Sequence, residues 1–141
     1  MDLYIYGIGR DGRAVCSLLL SNGRMEQQWC KVFDGAMPTK SGPVPLLPGG
    51  RCWYQAMLYA LAWGFVKIPK GESVKVFTIS VGIKDWIERG DIPERYSDLY
   101  QHYLKASEGH KIEVELVGLG RNRTLTKIAR VALTELDNTI F

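Results

Sequence analysis

Apolar and polar positions along this chain switch between a period of two and a period near 3.6, and the order of the switches predicts its elements. Leu3 to Ile8 is a short run of aromatic and β-branched residues, the composition of a first strand. Gly9-Arg10-Asp11-Gly12 reads as a turn. Arg13 to Leu20 is largely apolar, and its pattern leaves strand and helix both open. Asn22-Gly23, a strong hairpin signal, comes next. Glu26 to Phe33 then mixes Trp29, Val32 and Phe33 with Glu26, Gln28 and Lys31. Such a strand keeps one face in water, as an antiparallel edge does.

Residues 34–50 carry Pro38, Pro43, Pro45 and Pro48 among several glycines, so a long Pro/Gly-rich loop is expected there. Loops of that length inside a compact domain are functional or mobile. Arg51 to Phe65 is apolar nearly all round, which predicts a helix buried against a sheet. Val74 to Ser80 alternates as a strand. Trp86 and Ile87 belong to a short helix ending near Gly90. Ser97 is placed to cap a helix running to Ala106. Lys111 to Val117 alternates again, and Leu125, Ile128, Ala129, Ala132, Leu133 and Leu136 define a last helix from about Asn122. The expected order is βββαβααβα in a single α/β domain over residues 1–141, without repeats.

Composition narrows the class only a little. A chain of 141 residues with 46% hydrophobic content suits one packed core. Eighteen Lys and Arg against 15 Asp and Glu leave a mild positive balance. That permits a phosphate-bearing partner without demanding one. Cys16, Cys30 and Cys52 are odd in number and show no CxxC spacing, the usage of a reduced, intracellular protein. No secretory signal and no apolar run of the ~20 residues a membrane span needs is present. The expectation is a soluble chain, cytoplasmic or, in a eukaryotic or viral setting, nuclear.

The order of elements resembles the ribonuclease H family, and local residues carry the resemblance. Tyr4-Ile5-Tyr6-Gly7-Ile8-Gly9 is similar to the family's first strand, which ends in Asp-Gly. Gly49-Gly50-Arg51-Cys52-Trp53, with Ala56 and Ala60-Leu61 behind it, resembles the loop and helix in which Asn-Asn-Arg precedes a Glu. Phe77-Thr78-Ile79-Ser80 resembles the strand ending in Thr-Asp-Ser. Ser97-Asp98-Leu99-Tyr100 resembles the start of the helix before the last strand. Gly118-Leu119-Gly120 resembles a shortened Gly-His-Ala-Gly loop without its histidine, and Asn122 to Ala132 resembles the final helix.

The resemblance implies a five-stranded mixed sheet with helices on its faces. It also places Ile8, Trp53, Ile79 and Thr126 where the family keeps four carboxylates for two divalent metals. Such ions need hard anionic oxygen ligands, which isoleucine and tryptophan lack. The implied protein is a nuclease scaffold without catalysis, metal or cofactor. Its implied partner is nucleic acid: RNA, DNA or a hybrid.

Basic residues fall in the loops that this fold would bring together. Arg10, Arg51, Arg121 and Arg123 lie in or beside them, and Lys127 and Arg130 continue one face of the last helix. Cations there can hold phosphates, helped by helix N-termini; the plain alternative is a solvated face. Asp11 and Asp85 are possible partners for the arginines. His102 and His110 have no Cys, Asp or Glu at zinc-ligand spacing. Tyr4, Tyr6, Trp29 and Trp86 offer stacking faces for bases, although aromatics at such positions usually serve the core.

Two other readings stand beside nucleic-acid binding. One is a protein-interaction or homo-oligomeric assembly module, of viral or mobile-element type, suggested by apolar Leu46-Leu47 and by the Ile140-Phe141 end. The other is a dinucleotide-binding protein. Gly7, Gly9 and Gly12 fit GxGxxG, with Asp34 about 22 residues further on. That reading requires Arg13 to Leu20 to be a helix.

Overall fold

A computed structural model describes residues 1–138, so the Ile140-Phe141 end lies outside the described residues. Three long antiparallel strands come first: β1 (Asp2–Arg10), β2 (Arg13–Ser21) and β3 (Glu26–Asp34). Asp11 and Gly12 turn the chain between β1 and β2 with φ of 54° and 77°. Positive φ at both central residues matches the right-handed twist of the flanking strands. At the next turn Asn22 Oδ1 accepts from the backbone N–H groups of Arg24 and Met25, at 2.9 and 2.8 Å.

After a small hairpin of β4 (Ala36–Thr39) and β5 (Gly42–Pro45) comes α1 (Arg51–Val66), then β6 (Val74–Thr78) and α2 (Val81–Arg89). A 3-10 turn over Glu94–Tyr96 leads into α3 (Ser97–Ala106), β7 (Ile112–Leu116) and α4 (Arg123–Asn138). The main sheet has the order β3-β2-β1-β6-β7, with β6 parallel to β1 and β7 parallel to β6. This is the five-stranded mixed sheet expected from the sequence, with β3 at one edge as its polarity implied.

Strand alternation sends two sets of side chains to opposite faces. Leu3 and Ile5 of β1, with Ala14, Cys16 and Leu18 of β2, pack under α1 and α3 in the larger core. Tyr6 and Ile8, with Val15 and Leu19, pack under Leu125, Ile128, Ala129, Ala132 and Leu136 of α4. β1 and β2 are therefore covered on both sides, and that double cover is why Arg13 to Leu20 showed no clean alternation.

The structure corrects four expectations. Arg13–Ser21 is a strand paired along its whole length with β1, so the dinucleotide-binding reading of Gly7, Gly9 and Gly12 fails: no helix N-terminus follows the glycines. They serve packing instead. A Cβ on Gly7 would lie 2.6 Å from the Met57 backbone nitrogen, and one on Gly9 would lie 2.4 Å from Cys52 Sγ.

Residues 34–50 are not one long loop, because β4 and β5 pair within them. The proline argument failed on register. Lys40 and Ser41 form a two-residue turn, so Thr39 and Gly42 make the hydrogen-bonded pair, and such pairs alternate along a ladder. Pro38, Pro43 and Pro45 all fall in the non-bonded pairs Pro38↔Pro43 and Ala36↔Pro45, where no N–H is required. Ser97 does not cap α3; it is the helix's first residue, the cap is Tyr96, and no side chain bonds there. Leu133, expected in the core, is 39% exposed.

Gly7→Ala is expected to destabilise the fold by about 1–3 kcal/mol, since the added methyl meets helix backbone rather than a flexible side-chain end. Gly50→Ala, with open space around the added methyl, should stay within about 0.5 kcal/mol. Urea unfolding curves of the two variants make the comparison.

A pH effect follows from burial. It raises the Tyr103 hydroxyl from 10.0 to about 12 and the Cys30 thiol from 9.0 to about 11, with Cys16 raised further. These groups stay protonated in the folded chain while the unfolded chain ionises, so stability falls as pH rises. Loss begins near pH 9, runs through the folded values, and leaves neutral pH untouched. Thermal midpoints between pH 7 and 11 read this slope.

Candidate functional site

The carboxyl end of β1 opens into a groove of about 640 Å3. Ile8, Gly9 and Arg10 form its floor, Leu46 to Gly50 and Trp53 one wall, and Leu133, Leu136 and Asp137 the other. Gln55 holds the first wall in place. Its amide nitrogen donates to the Pro45 carbonyl at 3.0 Å, and its carbonyl oxygen accepts from the Leu47 N–H at 2.9 Å. The Gln55 side chain is itself 1% exposed, and these two bonds satisfy its buried amide. Leu46 and Leu47 are thereby drawn partly onto the larger core instead of standing free.

The four positions expected to carry acids are placed as follows. Ile8 is buried under α4. Ile79, just past the end of β6, packs against the same cluster. The parallel register sets Tyr4 beside Phe77, and its continuation brings Tyr6 rather than Ile8 level with Ile79. Trp53 stands in the first turn of α1, 40% exposed, and its indole N–H donates to the Gly9 carbonyl at 2.8 Å.

Thr126 lies in the first turn of α4, where its hydroxyl donates to the Asn122 carbonyl at 2.7 Å and accepts from the Gly120 N–H at 3.0 Å. Helix α4 runs along β1 in the same direction, with Thr124 near Tyr4 at its start and Asp137 paired with Arg10 near its end. Ile8 and Trp53 thus share the groove, while Thr126 sits toward the other end of α4. Tyr6, buried under α4 in the same cluster as Ile8, was not singled out as an acid position. The signal for it is the Tyr6-Gly7 pair, which fits the Asp-Gly pattern as well as Ile8-Gly9 does.

A divalent metal does not fit these residues. Isoleucine and tryptophan supply no anionic oxygen, and the Thr126 hydroxyl is committed to the helix cap. Among the described residues, no group of three or more His, Cys, Asp or Glu is arranged to hold a metal ion. The cysteines are free thiols.

The candidate basic residues divide into two groups. Arg10 and Arg51 are exposed near the groove, and Arg10 is already paired with Asp137 at 3.0 Å. Arg121, Arg123 and Lys127 gather around the start of α4, where Arg123, Lys127 and Arg130 share a second concavity with Glu26 and Gly120. Asn122 Oδ1 accepts from the Leu125 N–H at 2.9 Å and so caps this helix. Lys127 reaches Glu26 only loosely, at 3.9 Å, and no carboxylate among the described residues pairs with Arg121, Arg123 or Arg130. Asp85 is taken by Arg89.

These observations define an α/β domain with a ribonuclease H-like fold. Three solved structures share it over nearly all of this chain. The N-terminal ribonuclease H domain of rv2228c from Mycobacterium tuberculosis, solved as a fusion with maltose-binding protein, is 14% identical with a TM-score of 0.68, covering 99% of both chains. Ribonuclease H1 of the halophilic archaeon Halobacterium salinarum is 15% identical with a TM-score of 0.66, covering 97% of both. LC9-RNase H1, a type 1 enzyme with the type 2 active-site motif, is 16% identical with a TM-score of 0.64, covering 97% of this chain and 72% of that one. No family model and no curated protein sequence matches this chain. No helix among the described residues is long and apolar enough to cross a membrane.

Replacing Gln55 by Leu removes both partners of the groove wall. The part-buried Leu47 N–H and Pro45 carbonyl then lose their partner, and a loss of about 1 kcal/mol is expected. Hydrogen exchange should locate it, with faster exchange at the Leu47 amide than at the β1–β2 ladder.

Proposed function

We propose that this domain is a catalytically inactive ribonuclease H-like module that binds nucleic acid through the exposed start of α4. The observation carrying this reading is the cluster of cations there, of which only Lys127 has a carboxylate near it, Glu26 at 3.9 Å. Arg123, Lys127 and Arg130, at i, i+4 and i+7, share one helix face, and Arg121 lies on the loop before it. The helix dipole adds a partial positive charge at the same end. Phosphates bound there would release counterions, so affinity should fall steeply with salt.

The loss of catalysis rests on chemistry. Without carboxylates at Ile8, Trp53 and Ile79, nothing there offsets the charge of two divalent ions, so the residues favour binding without cleavage. Ribonuclease H neighbours make a nucleic-acid partner plausible.

A protein partner is the second reading. Trp53 and Leu133, 40% and 39% exposed, stand across the Ile8 groove from one another and offer apolar contacts to a peptide or a second copy.

Fluorescence anisotropy with labelled RNA–DNA hybrid, RNA and DNA, measured from 50 to 300 mM salt, tests the first reading. Arg123→Ala with Arg130→Ala should weaken binding at every sequence and lower the salt slope by about 1 per cation removed. Incubation of the hybrid with magnesium or manganese should leave it intact. Failure to bind any nucleic acid at 50 mM salt, or turnover of the hybrid by the pure protein, rejects the proposal.

A further inference from the structure

On the opposite side of the molecule from α4, two lysines are interleaved with aromatic rings. Lys67, just after α1, places its ammonium 4.3 Å from the Trp29 ring centroid and 5.1 Å from that of Trp63. Lys31 of β3 lies 5.7 Å from Trp63, 5.3 Å from Tyr59 and 5.8 Å from Phe33, and it donates to the Tyr59 hydroxyl at 3.1 Å. The order across the surface is therefore Trp29, Lys67, Trp63, Lys31, with Tyr59 and Phe33 behind. Strand alternation puts Trp29, Lys31 and Phe33 on one face of the edge strand, and α1 presents Tyr59, Trp63 and the approach to Lys67 beside them.

Neither lysine has a carboxylate partner among the described residues. Trp29, Trp63, Lys31 and Lys67 are all partly exposed, so rings and charges are both open to a ligand. The Trp63 and Tyr59 rings continue into an apolar groove of about 390 Å3 that Lys40 and His102 also line.

We infer that this surface is a binding site for single-stranded nucleic acid. It rests on the nucleic-acid reading proposed above but assigns the single strand to a face that α4 does not reach. The two faces suit different ligands. The concavity at the start of α4 is lined by cations and by no aromatic ring, which suits the backbone of a duplex. The face of β3 and α1 offers flat rings at the spacing of lysine side chains, the combination that holds unpaired bases and the phosphates between them. A base that stacks on Trp29 or Trp63 displaces an ammonium whose contact with an exposed ring is weak, and the released lysine turns to phosphate. An acidic protein segment would use the lysines but gain little from the rings.

Two double variants separate the faces. In Trp29→Leu with Lys67→Gln, a fluorescein-labelled twelve-residue oligouridylate or oligothymidylate should bind about tenfold more weakly. Hybrid duplex should bind within twofold of the parent. Arg123→Ala with Arg130→Ala should show the reverse preference. Comparison of the two oligonucleotides distinguishes RNA from DNA as the source of the strand. Ultraviolet cross-linking of the unmodified protein, with the attachment site found by mass spectrometry, should mark Trp29 or Trp63, and it gives an answer even where a variant loses stability.

Unchanged single-strand affinity in the Trp29 and Lys67 variant, with cross-links elsewhere, overturns this inference and leaves the α4 reading standing. Absence of binding to any nucleic acid removes both. Competition by polyglutamate as strong as by unlabelled oligonucleotide of equal charge also overturns it, in favour of an acidic protein partner.

Discussion

The close approach of α1 to β1 is the constraint on which the rest of this structure depends. Gly7 leaves the strand surface bare for the helix backbone at Ala56 and Met57, and Gly9 leaves room for the Cys52 side chain. A third bare position, Gly64 on the helix, receives the Leu3 side chain. Dispersion and apolar burial both grow as such gaps close, since a gap of even an ångström forfeits much of the contact energy. With α1 seated, its first turn reaches the end of β1, where the Trp53 indole bonds the Gly9 carbonyl. Gln55 then fixes the segment carrying β5 over the helix.

That seating divides the molecule into two faces of different chemistry. On one, α4 covers β1 and β2 with an apolar stripe and turns its arginines outward. On the other, the edge strand and the end of α1 set rings and lysines side by side. Between them, the positions expected from the sequence to carry acids are taken up by packing or capping: Ile8 and Ile79 against the α4 cluster, Thr126 into a helix cap. Clustered carboxylates repel one another and are kept at a cost in stability. Apolar side chains carry no such repulsion and supply no metal ligand.

The candidate site was legible in the sequence only by residue type. Ile8, Trp53 and Ile79 were readable as expected departures from an acidic pattern because strand order and short motifs pointed to them. Their grouping was not readable. Which β1 residue stands level with Ile79 depends on the parallel register of β1 and β6, and parallel strands joined through a distant helix carry no local signal for register. The basic residues behaved likewise: Arg10 seemed equivalent to Arg123 until Asp137, brought back by the whole length of α4, paired with it. The Lys31 and Lys67 stack joins an edge strand to the end of a helix, and no sequence spacing announces it.

The sequence by itself determined the elements outside residues 13–20 and 34–50, the amphipathic stripe of α4, the edge character of β3 and the lack of a carboxylate at Ile8, Trp53, Ile79 and Thr126. Each is written in neighbouring residues, through periodicity, turn chemistry or side-chain type. Tertiary structure alone decided that Arg13–Ser21 is a strand, that three prolines fit within a hairpin, and which cations remain unpaired. An apolar run buried on both faces satisfies helix and strand equally well, so the choice falls to the neighbours it packs against. A proline is tolerated or excluded by whether its missing N–H faces a partner. A charge is free or neutralised according to what distant chain returns beside it.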